Sequence, residues 1–514
     1  MKANLPWAFN DLKSPFFKGI NFMELKSHYD VAIVGYGPTG VTLANLLVKL
    51  GLDVLVIERE PDILQLPRAI RFDAECMRVF QTIGVADQLE KELEPGPGMK
   101  FFDADDNLLI TWERPISKGI HQWSSAYRVH QPDLEKVLRK KIENHPLLTL
   151  KLRHEVYKID EADEQCTLYF ENLANGSLVN TTAKFVVGCD GARSLVRRLI
   201  GTTFEDLNLH SRWLVVDFIA KNNKNDLGEY SIQFCNPERP MSYIKGTGQR
   251  LRWEIMVLAD DSAQTLTQPE TVWKLLGDYI QPENATIERA AVYTFHALIA
   301  KQWFKDRLII AGDAAHQTPP FMGQGMAAGI RDAANLAWKL HEMIRKQSTD
   351  LLQSYHDERI SHVQEFIEGA VSFGKIIQNY CQDHEYQQKV SELKNFITPA
   401  PKLGQGFYQQ HLTDGQIAPQ FISQQGLTDD LIGYQFSLFV LPEYKQEIDE
   451  LEASHIEYLD VIYAQSAETQ QWFKDLNAHA VLVRPDRYIF GQASAQQSIE
   501  ELLKATHLYD VVSP

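Results

Sequence analysis

The run Tyr29-Asp-Val-Ala-Ile-Val34, followed at once by Gly35-Tyr-Gly37-Pro38-Thr39-Gly40, restricts the fold of this chain more than any other segment. The first six residues read as a short buried strand, and the GxGxxG spacing reads as a tight turn. Leu43, Leu46, Leu47 and Leu50 then recur at i, i+3, i+4 and i+7, one face of a helix that Gly51 ends. Asp53-Val-Leu-Val-Ile57 makes a second strand, closing on Glu58 and Arg59. Gly35 permits the turn, Gly37 lets backbone approach a pyrophosphate, and Gly40 lets helix and strand pack closely. Pro38 and Thr39 open the helix, whose N-terminus turns free amides and the positive end of its dipole toward phosphate. Glu58 lies 18 residues beyond Gly40, where a carboxylate can accept both ribose hydroxyls of an adenosine. A structural glycine turn would share the spacing; strand, turn, helix, strand and acid together point to a dinucleotide.

Two downstream motifs discriminate between dinucleotides. Val186-Val-Gly-Cys-Asp190-Gly191-Ala-Arg193-Ser194 is an apolar strand delivering an Asp-Gly turn and a helix start. Arg307-Leu-Ile-Ile-Ala-Gly312-Asp313-Ala-Ala-His316 is another, followed by Pro319-Pro320-Phe-Met-Gly323-Gln-Gly325-Met326. Taken singly, Asp313 also fits a helix N-cap and Asp190-Gly191 an ordinary turn. In this order and spacing the chain resembles the class A flavoprotein aromatic hydroxylases, the group of p-hydroxybenzoate hydroxylase, whose fingerprints are GxGxxG, DG and GD.

That resemblance implies FAD as the cofactor. Asp313 would hold the ribityl chain, while Pro320, Gly323 and Gly325 would line the isoalloxazine. Amides at Met326 and Ala327 would stabilise negative charge at the N1/O2 edge of the reduced ring. Arg68 would contact the FAD phosphates and Gln131 would face the flavin; Arg128 fits a cofactor contact or a surface ion pair equally well. The implied reaction is NAD(P)H-driven insertion of oxygen from O2, through a flavin C4a-hydroperoxide, ortho to a phenol. Shared segments such as Pro67-Arg-Ala-Ile70 and Asn335-Leu-Ala-Trp-Lys339 place the chain nearest the 3-(3-hydroxyphenyl)propionate hydroxylase and phenol hydroxylase subgroup. The substrate expectation is therefore a 3-(3-hydroxyphenyl)propionate-like acid. A hydroxylase of a larger polyketide or antibiotic, and a non-catalytic flavin-binding module, are the alternatives. A halogenase is disfavoured by the lack of a Trp-x-Trp-x-Ile-Pro segment.

Between the DG and GD motifs the periodicity falls to two, predicting a mainly antiparallel sheet that the resemblance assigns to substrate. Gln233, Arg239, Tyr243, Trp253 and His296 are its candidate residues, with Tyr243, His296 and Pro320 as catalytic candidates. Tyr243 or His296 would draw the proton from the phenol, although each also fits plain core packing. Arg71 departs from the subgroup, where a small residue is expected, and puts a cation at the cavity mouth for an anionic substrate or NAD(P)H.

The expected fold is α/β: a Rossmann-type FAD domain (29–200 and 290–400), an interleaved substrate sheet (201–289 with part of 95–130), and a thioredoxin-like C-terminal domain (401–514). Residues 1–28 form an extension. The tail lacks CxxC, and no cysteine follows Cys381, so it suits packing or homodimer formation rather than dithiol chemistry. With 51 Lys and Arg against 68 Asp and Glu, the net charge of −17 argues against nucleic acid as a partner. The five cysteines show no metal or disulfide spacing. With no apolar run long enough for a membrane span, a cytoplasmic enzyme is expected.

Overall fold

The computed structural model describes residues 24–66, 68–221, 227–380, 384–392, 400–409, 415–452 and 459–506. Most of the expected N-terminal extension, and Cys381, lie outside the described residues.

His28–Val34 sits inside an eight-stranded sheet, paired in parallel with Val54–Glu58 on one side and Ser177–Gly188 on the other. Val31, Ala32 and Ile33 are fully buried, as expected of a parallel strand covered on both faces. Ser177–Gly188 pairs in parallel with Leu308–Ile310. Val34, Gly188 and Ile310 fall at one register level, so the three motif turns leave neighbouring strands side by side. The helix Pro38–Lys49 packs against the helix Gly325–Lys346. Their approach is close: a Cβ on Gly329 would lie 2.2 Å from Thr39 Oγ1.

A second eight-stranded sheet runs in the order His316–Gln317, Ala285–Ala300, Phe204–Ala220, Arg250–Met256, Met241–Lys245, Ser231–Phe234, Gly98–Phe102, Leu108–Glu113. All its neighbours are antiparallel except Ser231–Phe234 with Gly98–Phe102. Ala285–Ala300 is one continuous strand; the boundary expected at 290 falls inside it. The two-residue period separates two faces. Leu214, Val216, Phe218, Tyr243, Trp253 and Ile255 pack with Val272 and Leu276 of the helix Pro269–Leu276. Along the opposite face, one register row carries Val215, Glu254, Ser242, Gln233, Phe101 and Ile110.

The C-terminal unit has four strands in the order Leu459–Tyr463, Phe436–Val440, Ala480–Val483, Ile489–Ala493. The first pair is parallel and the other two are antiparallel. The helices Lys445–Glu452, Ala467–Leu476 and Ile499–Lys504 are interleaved with these strands. Buried charge ties it to the cofactor domain. Glu358 accepts hydrogen bonds from Arg484 (2.8 Å), Lys339 (2.8 Å) and Asn335 (2.8 Å), and Asp486 pairs with Arg484. Arg78 meets Asp429 at 2.7 Å in the same way.

Candidate active site

The first helix has Gly37 as its N-cap and no side-chain cap, so its leading amides stay available. Gly35 adopts φ +102°, and a Cβ there would strike the Cys189 carbonyl oxygen at 2.4 Å. Gly40 is pinned likewise, 2.2 Å from the Gly35 carbonyl oxygen. Gly37 differs: a Cβ would meet no protein atom within 4 Å, so packing does not demand its glycine. Close approach of a ligand explains it. At the end of the second strand, Glu58 accepts from the amides of Tyr36 (2.7 Å) and Glu60 (2.8 Å), fixing its carboxylate beside the turn. Arg59 instead projects into solvent and pairs with Glu60 at 3.3 Å.

Asp190 accepts from Leu195 N at 2.6 Å, which anchors the turn to the helix Leu195–Ile200, while its buried Oδ1 has no partner. Burial, against hydrogen bonds from Ser194 and nearby amides, leaves its carboxyl raised. The Gly312–Asp313 turn is clamped from behind. Asp332 accepts from Gly312 N (2.9 Å), His316 (2.7 Å) and Arg359 (2.9 Å). Asp313 follows Gly312 in this turn with its side chain exposed. The surrounding protein pushes its carboxyl up, against the opposing charges of His316 and Arg68. An adjacent polyol would give it partners. Gly37, Asp190, Asp313 and the first-helix amides therefore fit FAD.

Pro320 opens a 3-10 turn, Pro320–Met322, and Gly323 follows at φ +64°. The helix Gly325–Lys346 has no side-chain cap, so the amides at Gly325, Met326 and Ala327 lack intrahelical acceptors. These are suitable donors to an anionic ring edge. Phe321 contacts Trp213 at 5.5 Å, which brings the turn against the Glu254 face of the second sheet. Gln131 accepts from Ala69 N at 2.8 Å, steadying the segment that carries Arg68. The Arg68 carbonyl in turn accepts from Arg252 at 2.7 Å.

The structure separates the predicted substrate residues. Gln233 lies in the register row of Ser242 and Glu254. Tyr243 and Trp253 lie on the opposite face, in an aromatic core with Phe234 and Tyr279. His296 also falls on that side: its Nδ1 meets Nδ1 of the exposed His210 at 2.7 Å, and His210 meets Asp206 at 2.8 Å. Tyr243 and His296 therefore lie on the sheet face opposite Glu254 and Trp213, away from the Pro320–Met322 turn. Arg239 pairs with Asp261 at 2.6 Å and closes a hairpin end. Arg128 is held by Glu229 (2.6 Å) and Glu94 (3.4 Å). Both guanidinium charges are thereby spent on local carboxylates.

Sequence reasoning missed Glu254, Asp332 and Arg114. Glu254 sits in the row of Val215 and Ser242, on the face opposite Tyr243 and Trp253, where burial, with Asp217 adding and Arg252 and Arg289 opposing, lifts its carboxyl to about 7. Its signal was alternation: it neighbours Trp253 in a strand where one parity is core, so the other must face something else.

The FAD binding domain family model matches residues 28–370, and the HcaD C-terminal domain model matches residues 422–507. The "Probable NADH-specific resorcinol 4-hydroxylase" of Rhodococcus jostii (strain RHA1) is 33% identical over 92% of this chain and 94% of its own length. The "3-(3-hydroxy-phenyl)propionate/3-hydroxycinnamic acid hydroxylase 2" of Burkholderia vietnamiensis (strain G4 / LMG 22486) is 29% identical over 91% and 94%. Among solved structures, aklavinone-11 hydroxylase with FAD and aklavinone superposes with TM-score 0.79 at 20% identity, covering 94% of this chain and 99% of that one. The flavin-dependent monooxygenase PieE gives 0.77 at 18% identity, covering 94% and 99%. At such identities these two establish the fold.

Proposed function

Because the chain belongs to the FAD-binding family of aromatic hydroxylases, we propose that it hydroxylates a phenolic ring with O2 and NAD(P)H, ortho to the existing hydroxyl. The three motif turns, brought side by side at one register level of the parallel sheet, are the observation that carries this reading. NADH is the better-supported donor, since the relative from Rhodococcus is named as NADH-specific. The substrate is a monocyclic phenol, and a 3-(3-hydroxyphenyl)propionate-like acid fits best, in line with the relative from Burkholderia. No helix of the described residues is long and apolar enough to cross a membrane. We place the enzyme in the cytoplasm, with the C-terminal unit serving packing or homodimer formation.

Glu58 would hold the adenosine ribose, the first-helix amides and Arg68 the phosphates, and Asp313 the ribityl chain. Bound FAD, reduced by NAD(P)H, supplies the means to split O2, one oxygen atom entering the ring and the other leaving as water. The chain's part is position, dryness and proton control. The amides of Met326 and Ala327 would offset negative charge on a bound flavin ring. Phe101, Trp213 and Phe321 exclude water from the ring-facing side. Glu254, titrating near neutrality, holds the proton that a phenol gives up as it becomes a better nucleophile. The test follows NADH consumption and product formation over a panel of hydroxyphenyl acids and simple phenols. Phenol-dependent consumption with a dihydroxylated product is expected; peroxide in equal amount to NADH, with no product from any phenol, would refute the proposal.

A further inference from the structure

The deeply buried arginines of this protein are paired with carboxylates, Arg78 with Asp429, Arg252 with Asp217, Arg331 with Asp73, Arg359 with Asp332, Arg484 with Glu358. Arg114, and Arg71, which is partly buried with two guanidinium nitrogens shielded from water, break the pattern. Nε and Nη1 of Arg71, and Nε and Nη2 of Arg114, are buried with no hydrogen-bond partner among the described residues. Arg114 is 6% exposed. Asp73, two residues from Arg71, is committed to Arg331.

The two guanidinium groups share one indole: Arg114 lies 4.0 Å and Arg71 5.9 Å from the Trp112 ring centroid. Phe373 stacks on the same indole at 5.2 Å, and Phe101 meets Phe373 at 5.5 Å. The Arg71 stem lies against Gly323, where a Cβ would fall 2.6 Å from Arg71 Cδ. Two cations and an aromatic wall therefore border the loop that would carry the flavin ring. A buried guanidinium without a counter-charge is costly. Keeping two together makes sense when an anion arrives from outside, and an aromatic wall suits a ring attached to that anion.

We propose that Arg71 and Arg114 form a carboxylate-binding site that selects a phenol with an acidic side chain. This rests on the hydroxylase reading above and adds to it the groups that recognise the substrate's charged end. The pyrophosphate of NADH could supply the same chemistry, and the test separates the two sources.

The oxidised FAD-loaded protein is titrated with 3-(3-hydroxyphenyl)propionate and with 3-propylphenol, its neutral counterpart, using calorimetry. Arg71→Met and Arg114→Met, which keep the apolar stem, should each weaken the acid by at least about tenfold, the scale of one charge-assisted hydrogen bond. Binding of 3-propylphenol should stay within about twofold of the parent. Arg71→Lys, which keeps the charge, should lose less than Arg71→Met, and unchanged FAD content shows that the variants fold. Equal losses for both ligands, or no loss for the acid, overturn the site. So does a raised KM for NADH with acid binding intact, which would assign the arginines to the nucleotide. The readings fail separately. A parent that binds acid through both arginines yet hydroxylates nothing refutes the hydroxylase, whereas one that hydroxylates acid and neutral phenols with equal affinity refutes the anion site.

Discussion

Asp313, Gly40 and Glu254 each turn a local geometry into a measurable consequence. Replacing Asp313 by Ala should leave the chain folded but strip FAD during gel filtration, read as the ratio of flavin to protein absorbance. Gly40→Ala puts a methyl 2.2 Å from a carbonyl oxygen, so both FAD content and Tm should fall. Glu254 predicts two pH effects. As a base it works when ionised, so kcat should decline as pH drops below about 7, and Glu254→Gln should lose that limb. For stability the sign runs the other way. A carboxyl raised from 4.5 to about 7 contributes stability below the lower value, and that contribution is lost as pH rises through the higher one. Glu254→Gln should therefore be more stable than the parent at pH 8, by up to about 3 kcal/mol, and indistinguishable at pH 4. Urea melts at the two pH values measure this. Alternation in the sequence fixes which residues share a face but not which face a helix covers, so it could not decide where Tyr243 and His296 point.

At the scale of elements, the strands of all three motifs were readable because apolar runs closed by Gly and Asp turns are local signals. Their lateral order was not, since pairing Leu308–Ile310 with Ser177–Gly188 joins segments far apart in sequence. The helix Gly325–Lys346 shows both cases. Its apolar stripe was evident, whereas Arg331, Asp332, Asn335 and Lys339 are buried polar residues whose partners come from distant segments. These partners fix a prediction. Glu358→Ala would leave Arg484 facing Asp486 alone and Lys339 without its carboxylate, both fully buried. The loss should be on the order of 3–5 kcal/mol, read as a lower urea midpoint at unchanged m.

Across the whole molecule, one chain weaves two sheets that no single cut separates, since Gly98–Phe102, Leu108–Glu113 and Ala285–Ala300 join a sheet whose other strands come from different stretches. Composition and motif order pointed to several units; their borders depend on long-range pairing and fell elsewhere than expected at 290. Buried ion pairs bind the C-terminal unit, so a chain ending at residue 400 should be insoluble or bind no FAD, because Glu358 would lose Arg484 and Arg78 would lose Asp429. The central claim is that this protein directs oxygen from O2 into a phenolic ring. The most direct measurement is mass spectrometry of the product formed under 18O2 with NADH and 3-(3-hydroxyphenyl)propionate. The account predicts a dihydroxylated acid carrying one 18O atom per NADH consumed. Unlabelled product, or label found only in peroxide, would contradict it.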